Sequence, residues 1–197
     1  MISPKQNSKG FTIIELLIAT SVFTIVLLIS SASIVGLSRQ FYKGLNKSKT
    51  QEVARTISEE IGKNIQYSKV PPMVIAGGPA GTSSWCIANT RYAFMPGVQL
   101  GDGTSAVLLR ADGCATTDSP WDRDSDETEL IGEGMRLSAL EITSDAQQKV
   151  YQIRVKVASG SSDLLTNPST PAAACRDQAG RQFCAVSEFI ITVVRNM

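Results

Sequence analysis

Residues 9–37 read KGFTIIELLIATSVFTIVLLISSASIVGL, and Glu15 is the only charged residue between Phe11 and Leu37. The stretch contains no proline. Wound as a helix at about 1.5 Å per residue it would reach roughly 40 Å, and about 20 apolar residues already cross a bilayer. It is too long for the hydrophobic part of an ordinary secretory signal, and no alanine-x-alanine cleavage pattern follows it. A membrane-spanning helix is therefore expected. Two features do not suit a plain anchor. A carboxylate in hydrocarbon costs on the order of 2–3 kcal/mol and usually marks function, yet Glu15 sits four residues inside the run. Lys5 and Lys9 precede the span, but Arg39, Lys43, Lys47 and Lys49 follow it, so the rule that places positive flanks in the cytoplasm gives no clean orientation.

Cleavage between Gly10 and Phe11 would account for the glutamate. It would create an α-amine on Phe11, four residues before Glu15, and an amine from one subunit could then neutralise the carboxylate of a neighbour. A charge in an apolar setting is tolerable only when paired in this way. Lys9-Gly10-Phe11-Thr12-Ile13-Ile14-Glu15 resembles the processing site of type IV pilins and type II secretion pseudopilins. The resemblance implies that a dedicated peptidase cuts after Gly10 on the cytoplasmic side and methylates Phe11, and that Glu15 is the assembly carboxylate. It implies as partners other pilin or pseudopilin subunits, the prepilin peptidase, an inner-membrane assembly platform, and membrane lipid before assembly. The location implied is a single pass of the inner membrane with an extracytoplasmic head, and afterwards an extracellular pilus or periplasmic pseudopilus. On this reading residues 1–10 are a leader, 11–68 the helix and 69–197 a β-rich head. The competing reading is a membrane-anchored adhesin or binding module that never polymerises.

Beyond Leu37 the sequence turns polar without breaking. Leu37, Phe41 and Leu45 continue a helical stripe, and Val53, Ile57, Ile61 and Ile65 recur every fourth residue with charged neighbours between. One helix is predicted from about Phe11 to Gln66, with Gly36, Gly44 and Gly62 as weak points. Val70-Pro71-Pro72 ends it, because a proline ring and the residue before it both disfavour helical geometry.

The remainder reads as β structure. Tyr151, Ile153, Val155 and Val157 alternate with Gln152, Arg154 and Lys156, a strand pattern. Ala106–Arg110 and Leu137–Thr143 are further strand candidates. Phe189–Val194 is apolar on both faces and is expected to be well buried. Gly77–Ser84 and Gly160–Ala174 read as turn or loop. A long helix followed by clustered strands defines an α+β class, with the helix packed on an antiparallel sheet. The head order and the C-terminal Phe-Ile-Ile-Thr-Val-Val-Arg-Asn look similar to the larger minor subunits, including the J-type pseudopilins.

Cys86, Cys114, Cys175 and Cys184 all lie downstream of the apolar run, and none forms a C-x-x-C. That distribution favours disulfides in an oxidising, extracytoplasmic compartment. Pairing neighbours in sequence joins Cys86 to Cys114 and Cys175 to Cys184, one of the three connectivities that four cysteines allow.

The chain has a net charge of +1 and no histidine. The charge gives no lead to nucleic acid, and the missing imidazole removes the commonest general base and zinc ligand. No Gly-x-Ser-x-Gly elbow is present, so a structural protein, not an enzyme, is expected. No resident cofactor is expected, with calcium as the one exception to consider. Asp122, Asp124, Asp126 and Glu133 fall at positions 1, 3, 5 and 12 of an EF-hand-like loop. Glu127, however, stands where that loop needs glycine, and a solvated acidic loop is the plainer reading. A calorimetric titration that gives no heat with calcium would dispose of the metal.

Overall fold

The computed structural model describes residues 10–75, 82–101, 106–114 and 128–196. One helix, α1, runs over Ile13–Tyr67, and the backbone divides into two compact units, one ending at Phe41 and the other running from Tyr42 to Met197. In the first unit every described residue is exposed. The most apolar part of α1 has a mean hydropathy of 2.5 and meets the length and composition of a membrane span. Its hydroxyls are satisfied inside the helix. Thr24 donates to the Thr20 carbonyl at 2.7 Å, Ser30 to Val26 and Ser31 to Leu27 at 2.8 Å, and Ser33 to Ile29 at 2.9 Å. Such bonds return each hydroxyl to its own backbone, the condition under which polar side chains are tolerated in lipid.

In the second unit α1 turns one stripe inward. Thr50, Ala54, Ile57, Ser58, Ile61, Gly62 and Ile65 are buried, at the three- and four-residue steps of a helical face. They meet a three-stranded antiparallel sheet, order β10-β7-β6, formed by β6 (Met135–Ser144), β7 (Val150–Ser159) and β10 (Ala185–Val194). Ile57, Ile61 and Ile65 share one core with Leu137, Leu140, Ile153, Val155 and Val157. Across this interface the Thr50 and Ser187 hydroxyls are 2.7 Å apart and buried, and the Asn196 amide donates to the Gln66 carbonyl at 3.0 Å.

A second antiparallel sheet is a meander, β1 (Met73–Ile75), β2 (Ser83–Ile87), β3 (Thr90–Phe94), β4 (Leu108–Asp112) and β5 (Thr128–Glu129), each strand beside the next. Ala88 and Asn89 close the β2–β3 hairpin at φ 49° and 68°, the left-handed pair that matches strand twist. Backbone bonds from Gly97 to Leu137 and from Leu100 to Met135, at 2.8 and 2.9 Å, lay residues 97–100 along β6. Buried Arg136 adds to this seam by donating to the Gly160 carbonyl at 2.7 Å and to the Gln99 side-chain oxygen. A small pair, β8 (Leu165–Thr166) with β9 (Ala174–Cys175), completes the head.

Glu129 serves the sheet rather than a ligand. Its carboxylate accepts the Val107, Leu108 and Ile131 amides at 2.6, 3.0 and 2.9 Å, satisfying donors that strand pairing leaves over. Tyr92, fully buried, ties the meander to α1. Its hydroxyl donates to Glu60 Oε1 at 3.2 Å and accepts from Asn64, while Arg110 reaches the same Glu60 oxygen at 3.3 Å. Burial first, and then the Glu60 charge, push the phenol above its ordinary value. As pH rises through the usual phenol range near 10, the unfolded chain ionises before the folded one. Stability therefore falls with pH in that window. Replacing Tyr92 with Phe is expected to cost about 1 kcal/mol at neutral pH and to flatten the alkaline decline. Thermal midpoints at about pH 7 and about pH 11 read both effects.

Three expectations change. Phe189–Val194 is part of an edge strand paired only with β7. Phe189, Ile191 and Val193 face the core, while Ile190 and Val194 are 45% and 58% exposed. Burial on both faces would require a second covering layer, and α1 supplies only one. The Gly160–Ala174 region is not simple loop, because it holds a 3-10 turn (Ser162–Leu164), β8 and the start of β9. Ser83 and Ser84, expected in a turn, open β2. Residues 77–81 lie outside the described residues.

Candidate processing and assembly site

The first helical residue is Ile13, so the Gly10–Phe11 bond lies before the first turn. Gly10 and Phe11 are exposed. A Cβ placed on Gly10 would meet nothing within 4 Å, and its backbone has no positive φ. The fold itself thus makes no demand for glycine here. A requirement for a bare Cα must come from outside the chain, as in an enzyme pocket that grips an extended peptide.

Thr12 and Glu15 form a reciprocal cap. The Thr12 amide and hydroxyl donate to Glu15 Oε2 at 2.9 and 2.7 Å, and the Glu15 amide approaches the Thr12 hydroxyl at 3.4 Å. This is the capping-box arrangement, in which each residue satisfies a helix-end donor of the other. One carboxylate oxygen is engaged by the chain's own terminus, and a carboxylate has lone pairs to spare for a second donor. Glu15 stands out in the sequence by its charge and Thr12 does not, although threonine three residues before glutamate at the head of an apolar run is the signature of such a box. Residues 1–9, with Lys5 and Lys9, lie outside the described residues.

Far along the chain, Cys86 of β2 is bonded to Cys114, just after β4, with Cα atoms 5.7 Å apart. Because β3 lies between β2 and β4, this bridge spans a strand. Cys175 of β9 is bonded to Cys184, with Cα atoms 5.9 Å apart. Of the acidic set, Asp122, Asp124 and Asp126 lie outside the described residues. Glu133 is exposed, with its side chain against Gly101. Among the described residues no three metal-ligating side chains of His, Cys, Asp or Glu type come together.

Residues 5–31 match the family model described as the prokaryotic N-terminal methylation motif. The chain therefore carries the N-terminus of a type IV pilin-like prepilin. The match covers the Gly10–Phe11 bond, the Thr12–Glu15 cap and the most apolar turns of α1. No curated protein and no solved structure matches the chain. With one long N-terminal helix and a head of antiparallel sheets, the architecture is α+β and pilin-like.

Proposed function

We propose that the chain is a minor subunit of a type IV pilus-like filament or pseudopilus, placed in its tip or initiating complex. The observation that carries this reading is the Gly10–Glu15 segment, an accessible non-helical bond followed at once by a capped carboxylate and an exposed apolar helix. The peptidase removes the leader, and the apolar part of α1 holds the subunit in lipid. During assembly the same surface is buried against sister helices, with Glu15 taking the Phe11 amine of a neighbour. The minor role and terminal position are supported by the likeness of the head order and the C-terminal segment to larger minor subunits.

Mass analysis of the mature N-terminus tests the processing step. The expected product begins at Phe11 and carries one added methyl group. A Gly10→Val variant should fold alike, given the empty space around Gly10, yet remain uncut. Mature protein that still begins at Met1 would instead support an anchored binding module that does not polymerise.

A further inference from the structure

Four basic residues follow the apolar run, on the flank where the positive-inside rule would not gather them for a head outside the cytoplasm. Two of them, Lys43 and Lys47, line a cleft of about 460 Å³ in the second unit. Lys156 from β7 and Arg181 line it as well, and the Cys175–Cys184 bridge contributes to its wall. Lys43 and Lys47 are exposed and stand one helical turn apart. Like charges at that spacing destabilise a helix by a few tenths of a kcal/mol unless an anion sits between them. Glu188 is the acidic lining residue, and it is already engaged by Arg154 at 3.1 Å and Lys156 at 3.8 Å. Arg181 pairs with Asp177 at 2.6 Å. The Lys156 side chain is only 12% exposed and donates to the Pro171 carbonyl at 2.5 Å. Among the described residues, Lys156 and Arg181 are thus already paired with acids, and the two exposed helix lysines are the lining cations left to meet an anion.

We propose that this cleft seats the phosphate of an anionic phospholipid headgroup while the subunit is resident in the membrane. The choice of a lipid follows from position in the chain. Lys43 comes six residues after Leu37, less than two turns of helix beyond the end of the apolar run. Basic residues at that depth lie among headgroups, where each contributes about 1 kcal/mol of attraction to an anionic surface. The apolar lining from Ala173, Ala185 and Val186 suits the glycerol end of such a lipid better than a free, fully hydrated ion. The proposal shares with the filament reading only the membrane-anchored stage, and it needs no polymer for its test.

The test uses the full chain in non-ionic detergent micelles, titrated with short-chain phosphatidylglycerol and followed by native mass spectrometry or thermophoresis. Saturable binding is expected, weakened about tenfold or more by Lys43→Gln with Lys47→Gln. The matched control, Lys49→Gln with Lys69→Gln, removes the same charge outside the cleft and should stay within about twofold of the parent. All four lysines are exposed, so the thermal midpoint should not move, which separates lost binding from lost folding. Equal binding by the cleft variant would overturn the proposal. So would short-chain phosphatidylcholine binding as tightly, or inorganic phosphate competing at the same concentration as the lipid, which would make the cleft a seat for free anions. A failure of filament assembly would leave this titration unchanged, so the two ideas fall separately.

Discussion

Replacing Glu15 with alanine is expected to leave cleavage at Gly10 intact and to lower incorporation into filaments at least tenfold. Two roles of the carboxylate have to be told apart. As half of a capping box it satisfies the Thr12 amide at 2.9 Å, and losing a cap costs about 1 kcal/mol at one helix end. As an intermolecular partner it would offset a charge that otherwise costs on the order of 2–3 kcal/mol in hydrocarbon. Glu15→Gln separates the roles, because the amide oxygen can still accept the Thr12 bonds but carries no charge. If pairing with a neighbour's amine drives assembly, the glutamine variant fails almost as badly as alanine. If capping is sufficient, glutamine restores incorporation and the pairing idea is wrong. Quantifying the protein in sheared, pelleted filaments, against total processed subunit in the membrane, decides the matter.

The second large effect is expected at Gly62. A Cβ there would lie 2.7 Å from Ile191 Cδ1 and 3.1 Å from Val193 Cγ1. Both of those atoms belong to β10, so the glycine lets α1 settle close onto the sheet edge. Gly62→Leu should force helix and strand apart and cost about 3 kcal/mol, at the upper end for overpacked cores. For a chain of this size that corresponds to a midpoint lowered by roughly 6–12 °C. Gly62→Ala is the control of opposite tendency. Alanine gains about 1 kcal/mol of helix propensity, and the crowded atoms are ends of flexible side chains that can give way. The alanine variant should therefore stay near the parent. Equal, small effects of alanine and leucine would show that the helix–sheet contact is loose.

Gly62 also illustrates what the sequence could convey. Its cost to the helix was legible as a weak point, but the reason for bearing it was not, because Ile191 and Val193 are distant in the chain. The helix itself was read almost to its ends, Phe11–Gln66 expected against Ile13–Tyr67 found, since apolar periodicity and Pro71-Pro72 are local signals. β7 was legible for the same reason, as strict alternation. β2 and β3 leave little trace in the sequence: each is five residues long, and their hairpin turns through Ala88-Asn89 without the glycine that usually announces one. β10 is legible as a strand but not as an edge strand, because a β-branched run does not say whether a strand lies at a sheet's centre or its edge. The candidate processing segment is legible because its parts adjoin. The basic cleft was not, since its lysines and arginine come from a helix, a strand and a disulfide-closed loop that only folding brings together.

The bridge from Cys86 to Cys114 has a mechanical corollary. In the filament proposed above a subunit would bear tension, and a sheet under load lengthens by unravelling its strands. The two residues are 28 positions apart, and an extended chain spans at most about 3.5 Å per residue, so the crosslink withholds on the order of 95 Å of contour from any pull. The strand enclosed between its two bonded neighbours cannot be peeled out without breaking a covalent bond. The part so clasped yields almost no length under strain, whereas its reduced form would stretch like a spring with its stop removed.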